Sequence, residues 1–423
     1  MRKSAAAPLG VNLLVPGFLP FRGTRYRAGP DLSLMVAPPY DVIDEEARAR
    51  LEAADPHNVV RLILPRATAR QDPYTGAAAT FRAWQASQVL GTDSATALYG
   101  YEMRYAGSGG EPRRTIGVIG ALGLLDGEQR DVLPHERTLP RARSDRLALL
   151  RATRANFDPI WCLSLTGGLT ERLPPVDTPV ATAVDDSDTW HGLEPIVDPA
   201  RIESIRAAVS AAPLVLADGH HRFETARAYQ AERADDPGAA TVLTLVVELD
   251  EAMLDVRPIH RLVHGGPPDL RQRLAGSFRV EPAGPNTVGG VRELQERAGH
   301  QRGLGVVDRD GLAWLSPSAD TLALADRSLP TELRDVDAAR FDVWARPSLG
   351  QAELSYRDDA LTVASMVEKG AADAAVLLRP VTVAQIRAAA LAGLRMPEKT
   401  SFFWPKPRTG LVMRDLDAAD GLG

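Results

Sequence analysis

The sequence predicts an α+β protein: a mixed α/β core domain followed by a second, smaller α/β C-terminal domain. Strand-length apolar runs and helix-length amphipathic runs alternate over all 423 residues, without the even βαβ rhythm of a doubly wound sheet. At roughly 150 residues per domain the length implies two to three domains. The GGPP turn at 265–268 punctuates the chain sharply and divides it into residues 1–265 and 266–423.

Taken in order, residues 35–37 read as extended and Pro38–Pro39 as a turn, followed by a helix that Asp44 opens as N-cap before Glu45 and Glu46. The apolar run 59–64, closed by Pro65, reads as a strand; 77–90 reads as a helix and 97–105 as a strand. Residues 116–125 read as a buried strand ending in the turn Asp126–Gly127. The run SDRLALLRATRANF at 144–157 has leucines at helical spacing and is stopped by Pro159. Residues 168–188, rich in Gly, Pro, Thr and Asp, read as surface loops. PLVLA at 213–217 is a short strand, Asp218–Gly219 a turn, 222–232 a helix and 241–249 a strand. Beyond the GGPP turn follow a helix at 269–274, strands at 303–307 and 312–315, and helices near Ser365, near Ala371 and at 383–394. The tail 415–423 reads as disordered.

Hydrophobic residues make up 44% and charged residues 25% of the chain, which supports a sizeable core and excludes global disorder. The net charge of −6 provides no overall field toward nucleic acid or anionic lipid. No stretch approaches the roughly 18 apolar residues of a membrane span. Cys162 is the single cysteine, so no intrachain disulfide can form, and a reducing cytoplasm is expected. GxxxxGK[ST], HExxH, CxxC and GxSxG are absent, which argues against a P-loop enzyme, a zincin, a zinc finger and a typical α/β-hydrolase.

The sharpest chemical cluster is Asp218–Gly219–His220–His221–Arg222, where an apolar strand hands over to a helix. A helix start with a glycine, imidazoles and a guanidinium suits a phosphate or carboxylate. Arg222 offers a fork for phosphate oxygens; Asp218 is a candidate metal ligand or proton acceptor. The second cluster surrounds PHERTLPRARSDR at 134–146. Between Arg130 and Asn156 seven arginines face three acidic residues, a local +4 in an acidic protein. Arg137, Arg141, Arg143 and Arg146 there suit a polyphosphate, with Glu136 as an available acid or base. The third is Tyr40 and Asp41 on the Pro–Pro turn, with Asn58 and Arg61 following. A compact zinc site would need His135 or His260 to join His220 or His221, which their spacing does not support.

At these residues the sequence resembles the uncharacterised DUF1015 family. The resemblance rests on PFRGTRY (20–26), APPYDVI (37–43), HNVVRLILP (57–65), YGYEM (99–103), VLPHERTLPRARSDRLALLRATRANFDPIW (132–161), ADGHHRFETA (217–226), RPIHRLV (257–263) and KTSFFWPKPRTGLV (399–412), so it spans essentially the whole chain. Asp218, Gly219, His221 and Arg222 also resemble the box of the ParB and sulfiredoxin-like superfamily, which includes chromosome-partitioning CTPases, DGQQR-bearing NTPases and free-serine kinases. His220 matches only the DUF1015 form. What this implies is a ParB/sulfiredoxin-like domain whose polar loops bind nucleotide phosphates. A kinase base carried over from the amino-terminal part falls on Asp41 or Glu45.

The resemblance implies a phosphotransferase moving a phosphoryl group between a nucleotide (ATP or ADP, with CTP a further option) and a small hydroxyl metabolite, with Mg²⁺ and with free L-serine or O-phosphoserine as the leading substrate. Its expected catalytic residues are Asp218, His221, His220, Asp41 and Glu136. Gly219, Arg222, His135, Arg137, Arg141 and Arg146 would hold the nucleotide; Tyr40, Asn58, Arg61 and His260 the substrate; Asp218 the metal. The alternatives are a ParB-like nucleotide switch that closes a homodimer and a phosphomonoester hydrolase. With no basic helix-turn-helix in sight, nucleic acid is not an expected partner.

Overall fold

The structure, a computed structural model, describes residues 17–68, 71–107, 109–124, 131–134, 136 and 143–418. The turn at Asp126–Gly127 and the expected phosphate ligands His135, Arg137 and Arg141 lie outside the described residues. The chain is mixed α/β and divides into two units: Met1–Pro134 with Leu139–Met253 and Pro405–Gly423, and His135–Thr138 with Leu254–Trp404.

The first unit is built on a mixed sheet. From one edge its strands run Val132–Pro134, Leu214–Asp218, Ile160–Ser164, Thr241–Glu248, Pro112–Gly123, Leu98–Ala106, Trp190–Ile196 and Ala181–Val184, with Phe18–Leu19 also pairing with Pro112–Gly123. Leu214–Asp218 runs antiparallel to Ile160–Ser164, with a bulge between Leu216 and Asp218. Bulges re-aim side chains at strand ends, and this one brings Asp218 opposite Trp161. Val118, Val246, Cys162 and Leu216 from the sheet pack with Ile205 and Val209 of the helix Pro199–Val209 and with Phe223 of the helix His220–Glu232. Removing this apolar surface from water is the main force holding the layers together.

The second unit carries an antiparallel sheet in the order Phe278–Gly284, Gly311–Pro317, Leu304–Asp308, Ala374–Leu377, His260–His264 and Glu353–Arg357. Val291, Leu294 and Ala298 of the helix Val288–His300 pack with Val363 and Val367 of Ala360–Glu368 around Trp314, Leu262 and Leu377. The Phe402–Trp404 strand pairs with Asp255–Arg257, which buries Phe403.

Several elements follow the sequence closely. Asp44 caps the helix Glu45–Ala54 by accepting from Ala47 N at 2.8 Å. The leucine-rich run forms the helix Arg143–Thr153. Others differ. The run 59–64 is a helical turn, Val60–Ile63, because Asn58 Oδ1 accepts from Val60 N and starts the turn. The stretch 168–188 contains the strand Ala181–Val184 and buries Leu169, Leu173 and Val176. Residues 371–373 form a bend between the helix Ala360–Glu368 and the strand Ala374–Leu377.

Residues 405–418 of the tail are held in place: Arg414–Asp415 pairs with Ala155–Asn156, and Leu416 packs with Leu150 and Tyr229. Upstream of it, Thr409 N reaches Ala37 O at 2.8 Å and Met413 N reaches Thr24 O at 2.9 Å. The chain after Trp404 is thereby built into the first unit. Among the described residues no helix is long and apolar enough to cross a membrane.

Candidate active site

The apolar strand Leu214–Asp218 carries Asp218 to the sheet's end, and Gly219 turns the chain into the helix His220–Glu232. Gly219 sits at φ 87°, ψ 28°, the left-handed region that glycine adopts without penalty. A Cβ there would lie 3.0 Å from Ile160 Cγ2 and 3.1 Å from Arg222 Cζ. Among the described residues no side chain caps this helix, so its positive end is left for an anion.

Around this turn runs a chain of ion pairs. Lys406 Nζ donates to Asp218 Oδ1 at 2.8 Å, and Arg222 Nη2 donates to Asp218 Oδ2 at 2.8 Å. Arg222 Nη1 donates to Asp158 Oδ2 at 2.6 Å and to Pro159 O at 2.5 Å. Burial opposes charge on Asp218, but Lys406 and Arg222, with His220 adding to them, hold its carboxyl well below the usual range. Burial also opposes charge on Arg222, yet Asp158, Asp218 and Asp41 keep its pKa raised. Asp158 goes the other way: burial raises it above the ordinary range, opposed by Arg222 and Arg146, with Asp41 and Asp218 adding smaller upward pushes. Two carboxylates sharing one guanidinium are thus driven apart.

Tyr40 and Arg146 close the same region. The Arg146 guanidinium lies over the Tyr40 ring at 4.2 Å, donates to Ile63 O at 2.7 Å and holds Asp145 through two hydrogen bonds. Tyr74 Oη donates to the other oxygen of Asp145 at 2.7 Å. Burial pushes the Tyr40 phenol up to about 12, opposed first by Arg222. Asp41 is exposed on the 3₁₀ turn Tyr40–Val42. His220 and His221 occupy the first turn of their helix, where His221 Nδ1 is buried without a hydrogen-bond partner among the described residues.

The structure therefore gathers Asp218, Gly219, His220, His221, Arg222, Tyr40, Asp41 and Arg146 in the first unit. Asn58 belongs to that unit as well, but its side chain is spent locally, donating to Leu34 O and Val36 O and accepting from Val60 N. Arg61 donates to Glu52 O. Glu136 and His260 belong to the second unit. Glu136 accepts from Lys399 N, Thr400 N, Ser401 N and Ser401 Oγ at 2.7 to 3.2 Å, and Lys399 is in the left-handed region at φ 54°. His260 is fully buried; its Nδ1 accepts from Leu378 N, and burial lowers its pKa to about 4.

Asp158 and the pairing of Lys406 with Asp218 were missing from the expected site; the sequence suggested Lys406 only as part of a lid with Phe402, Phe403 and Trp404. Both lie inside family motifs, in NFDPIW and FFWPKPRTG, but Lys406 is 188 residues from Asp218, and no local spacing connects them. Among the described residues no three His, Cys, Asp or Glu side chains form a group that could hold a metal ion. Both oxygens of Asp218 are engaged by cations, so in this arrangement it does not fit the role of metal ligand.

Fold and site define a mixed α/β protein whose central sheet ends in an anion-directed turn ringed by paired charges. The chain belongs to the DUF1015 family of proteins of unknown function, whose model matches residues 18–339. No curated protein matches the sequence. Similar solved structures include a conserved hypothetical protein from Pyrococcus furiosus at 12% identity, covering 68% of this chain and 93% of that one, with a TM-score of 0.37. A free serine kinase in complex with AMP shows 14% identity, 66% and 89% coverage and a TM-score of 0.35. SbnI with a C-terminal truncation, from Staphylococcus aureus, shows 12% identity, 71% and 90% coverage and a TM-score of 0.37.

Proposed function

We propose that the protein is a phosphotransferase that moves a phosphoryl group between a nucleotide and a small hydroxyl metabolite, with free L-serine or O-phosphoserine as its leading substrate. The observation that carries this reading is the Lys406–Asp218–Arg222–Asp158 chain of ion pairs beside an uncapped helix start. Phosphoryl transfer requires little covalent chemistry from a protein; it needs positioned positive charge and a partly dry setting. Lys406 and the start of the His220–Glu232 helix supply that charge. Arg222, with both terminal nitrogens tied to carboxylates, keeps the two acids at fixed separation, and His220 and His221 stand where a phosphate would meet the helix. The resemblance of Asp218–Arg222 to the ParB/sulfiredoxin-like box supports the same chemistry. Mg²⁺ enters with the nucleotide phosphates.

The test is phosphorus NMR of the purified protein with Mg²⁺ and L-serine, with ATP, ADP, CTP or pyrophosphate in separate tubes and phosphoserine alone in another. A phosphoserine signal growing with one donor is the expected outcome and names the donor. Phosphate released from phosphoserine alone would replace the reading with a hydrolase. Silence in every tube, with nucleotide binding intact, would replace it with a nucleotide switch.

A further inference from the structure

We infer that Asp158, rather than Asp218 or Asp41, is the carboxylate that accepts the proton of the acceptor hydroxyl, an inference that rests on the phosphotransfer reading. Both oxygens of Asp218 are filled, one by Lys406 and one by Arg222. Taking a proton there would break an ion pair with two cations at once. Asp158 gives only Oδ2 to Arg222; Oδ1 has no hydrogen-bond partner among the described residues. Its side chain is 14% exposed, enough to meet a ligand while still shielded from bulk water. Asp41 is exposed and well hydrated by comparison, and among the described residues no cation is bonded to it to fix its direction.

The surroundings of Asp158 fit the role. It lies between Asn156 and the strand Ile160–Ser164, so a sheet element and Arg222 together set its orientation. The charged and titratable groups around it are Arg222 and Arg146 from two helices, Asp218 from the neighbouring strand, and Asp41 and Tyr40 from the 3₁₀ turn. Burial and the two carboxylates raise its pKa against the two arginines, which brings it nearer neutrality than Asp218. A pocket of about 50 Å³ is lined in part by Asp158, Arg222, Arg146 and Thr225. Arg222 Nε and Thr225 Oγ1 are buried without partners among the described residues, so the lining has polar capacity to spare and the space has room for water.

In the step, the acceptor O–H bond breaks and its proton passes to Asp158 Oδ1. The freed oxygen pair forms the new bond to the transferred phosphorus. The bond from phosphorus to the bridging oxygen breaks, and that electron pair leaves with the shortened nucleotide. Asp158 then returns the proton to water, so the net products are the phosphomonoester, the shortened nucleotide and one proton.

Two measurements test this. In Asp158→Asn, kcat with L-serine should fall about 100-fold or more, KM should stay within a few-fold, and the acid limb of the kcat–pH profile should flatten. Carbon-13 NMR titration of the carboxyl-labelled wild type, which needs no turnover, should place Asp158 above the ordinary aspartate range. Should the Asn variant not fold, Asp158→Glu keeps a carboxylate facing Arg222. It should retain the limb with a displaced midpoint, and an undisplaced midpoint would overturn the inference. An Asn variant within three-fold of wild type, or an Asp158 carbon titrating at or below the ordinary range, overturns the role and leaves phosphotransfer standing. A wild type that forms phosphoserine from no donor overturns the reading and this role together.

Discussion

The first unit holds two clusters in which a carboxylate meets cations and histidine, and the segment after Trp404 serves both. At the strand-to-helix turn, Lys406 joins Asp218 and Arg222, which are 13%, 17% and 12% exposed, and Asp158 keeps an oxygen open. In the other, Arg408 Nη2 lies 2.7 Å from Asp185 Oδ2, and Arg408 N donates to Tyr101 Oη at 3.0 Å. The Tyr101 proton is then directed to His191 Nδ1 at 2.8 Å, which leaves the Nε2 proton for Asp185 at 3.3 Å. Ser187 N and Thr189 N complete the shell of Asp185, while His191 is fully buried. In the second cluster both oxygens of Asp185 and both ring nitrogens of His191 are engaged. On the proposed reading, similar residues serve chemistry in one place and anchorage in the other, and what separates them is the open oxygen of Asp158.

The contrast is broken most directly by removing one cation. Lys406→Met should lower kcat by about 10²–10³-fold, the scale for a group that stabilises transition-state charge, with little loss of stability because Arg222 still pairs with Asp218. Asp185→Ala should do the reverse. It strands Arg408 and His191 in a buried setting and should cost about 3–5 kcal/mol, while turnover of the folded fraction stays within a few-fold. Denaturant midpoints and phosphorus NMR rates on both variants check the pair. Equal losses of activity and stability in both would erase the distinction between them.

What the sequence made legible follows the same division. Asp218 to Arg222 announced itself because a strand, a glycine and a helix start are contiguous, and Asp44 was readable as a cap for the same reason. Asp158 and Lys406 reach the site through sheet pairing and through a C-terminal return of the chain, neither of which has a local signature. The apolar run at 59–64 reads as a strand yet folds as a helical turn, because a short apolar run fits either equally well and a fully satisfied Asn58 decides between them. Asn58 also shows why polar residues in long motifs mislead: its hydrogen bonds hold a loop.

Acid sharpens the comparison further. Burial opposes charge on Asp185, but His191, Arg408 and two backbone amides hold its carboxyl at about 2 against an ordinary 3.8. Its folded pKa is depressed, so its stabilisation is complete above the unfolded value and is lost as pH falls from about 4 through 2, an effect of about 2.5 kcal/mol. Burial also lowers His191, whose contribution likewise weakens as pH falls below its ordinary value. The midpoint of unfolding should therefore drop more steeply between pH 4 and 2 in wild type than in Asp185→Ala. Parallel curves would show that folding does not depress the Asp185 pKa.

The smallest expected effect tests whether the turn serves the site through its backbone alone. Gly219→Ala forces an L residue into φ 87°, which costs about 1–2 kcal/mol, and brings the new methyl to 3.1 Å from Arg222 Cζ. Arg222 can relieve that contact only by moving the guanidinium that joins Asp158 to Asp218. The substitution should thus reduce kcat by more than its stability loss accounts for at a temperature where the protein stays folded. An Ala variant with a lowered midpoint and unchanged kcat would show that the separation of the two carboxylates tolerates a shift at Arg222, and that the guanidinium they share holds the fold at this turn without setting the rate.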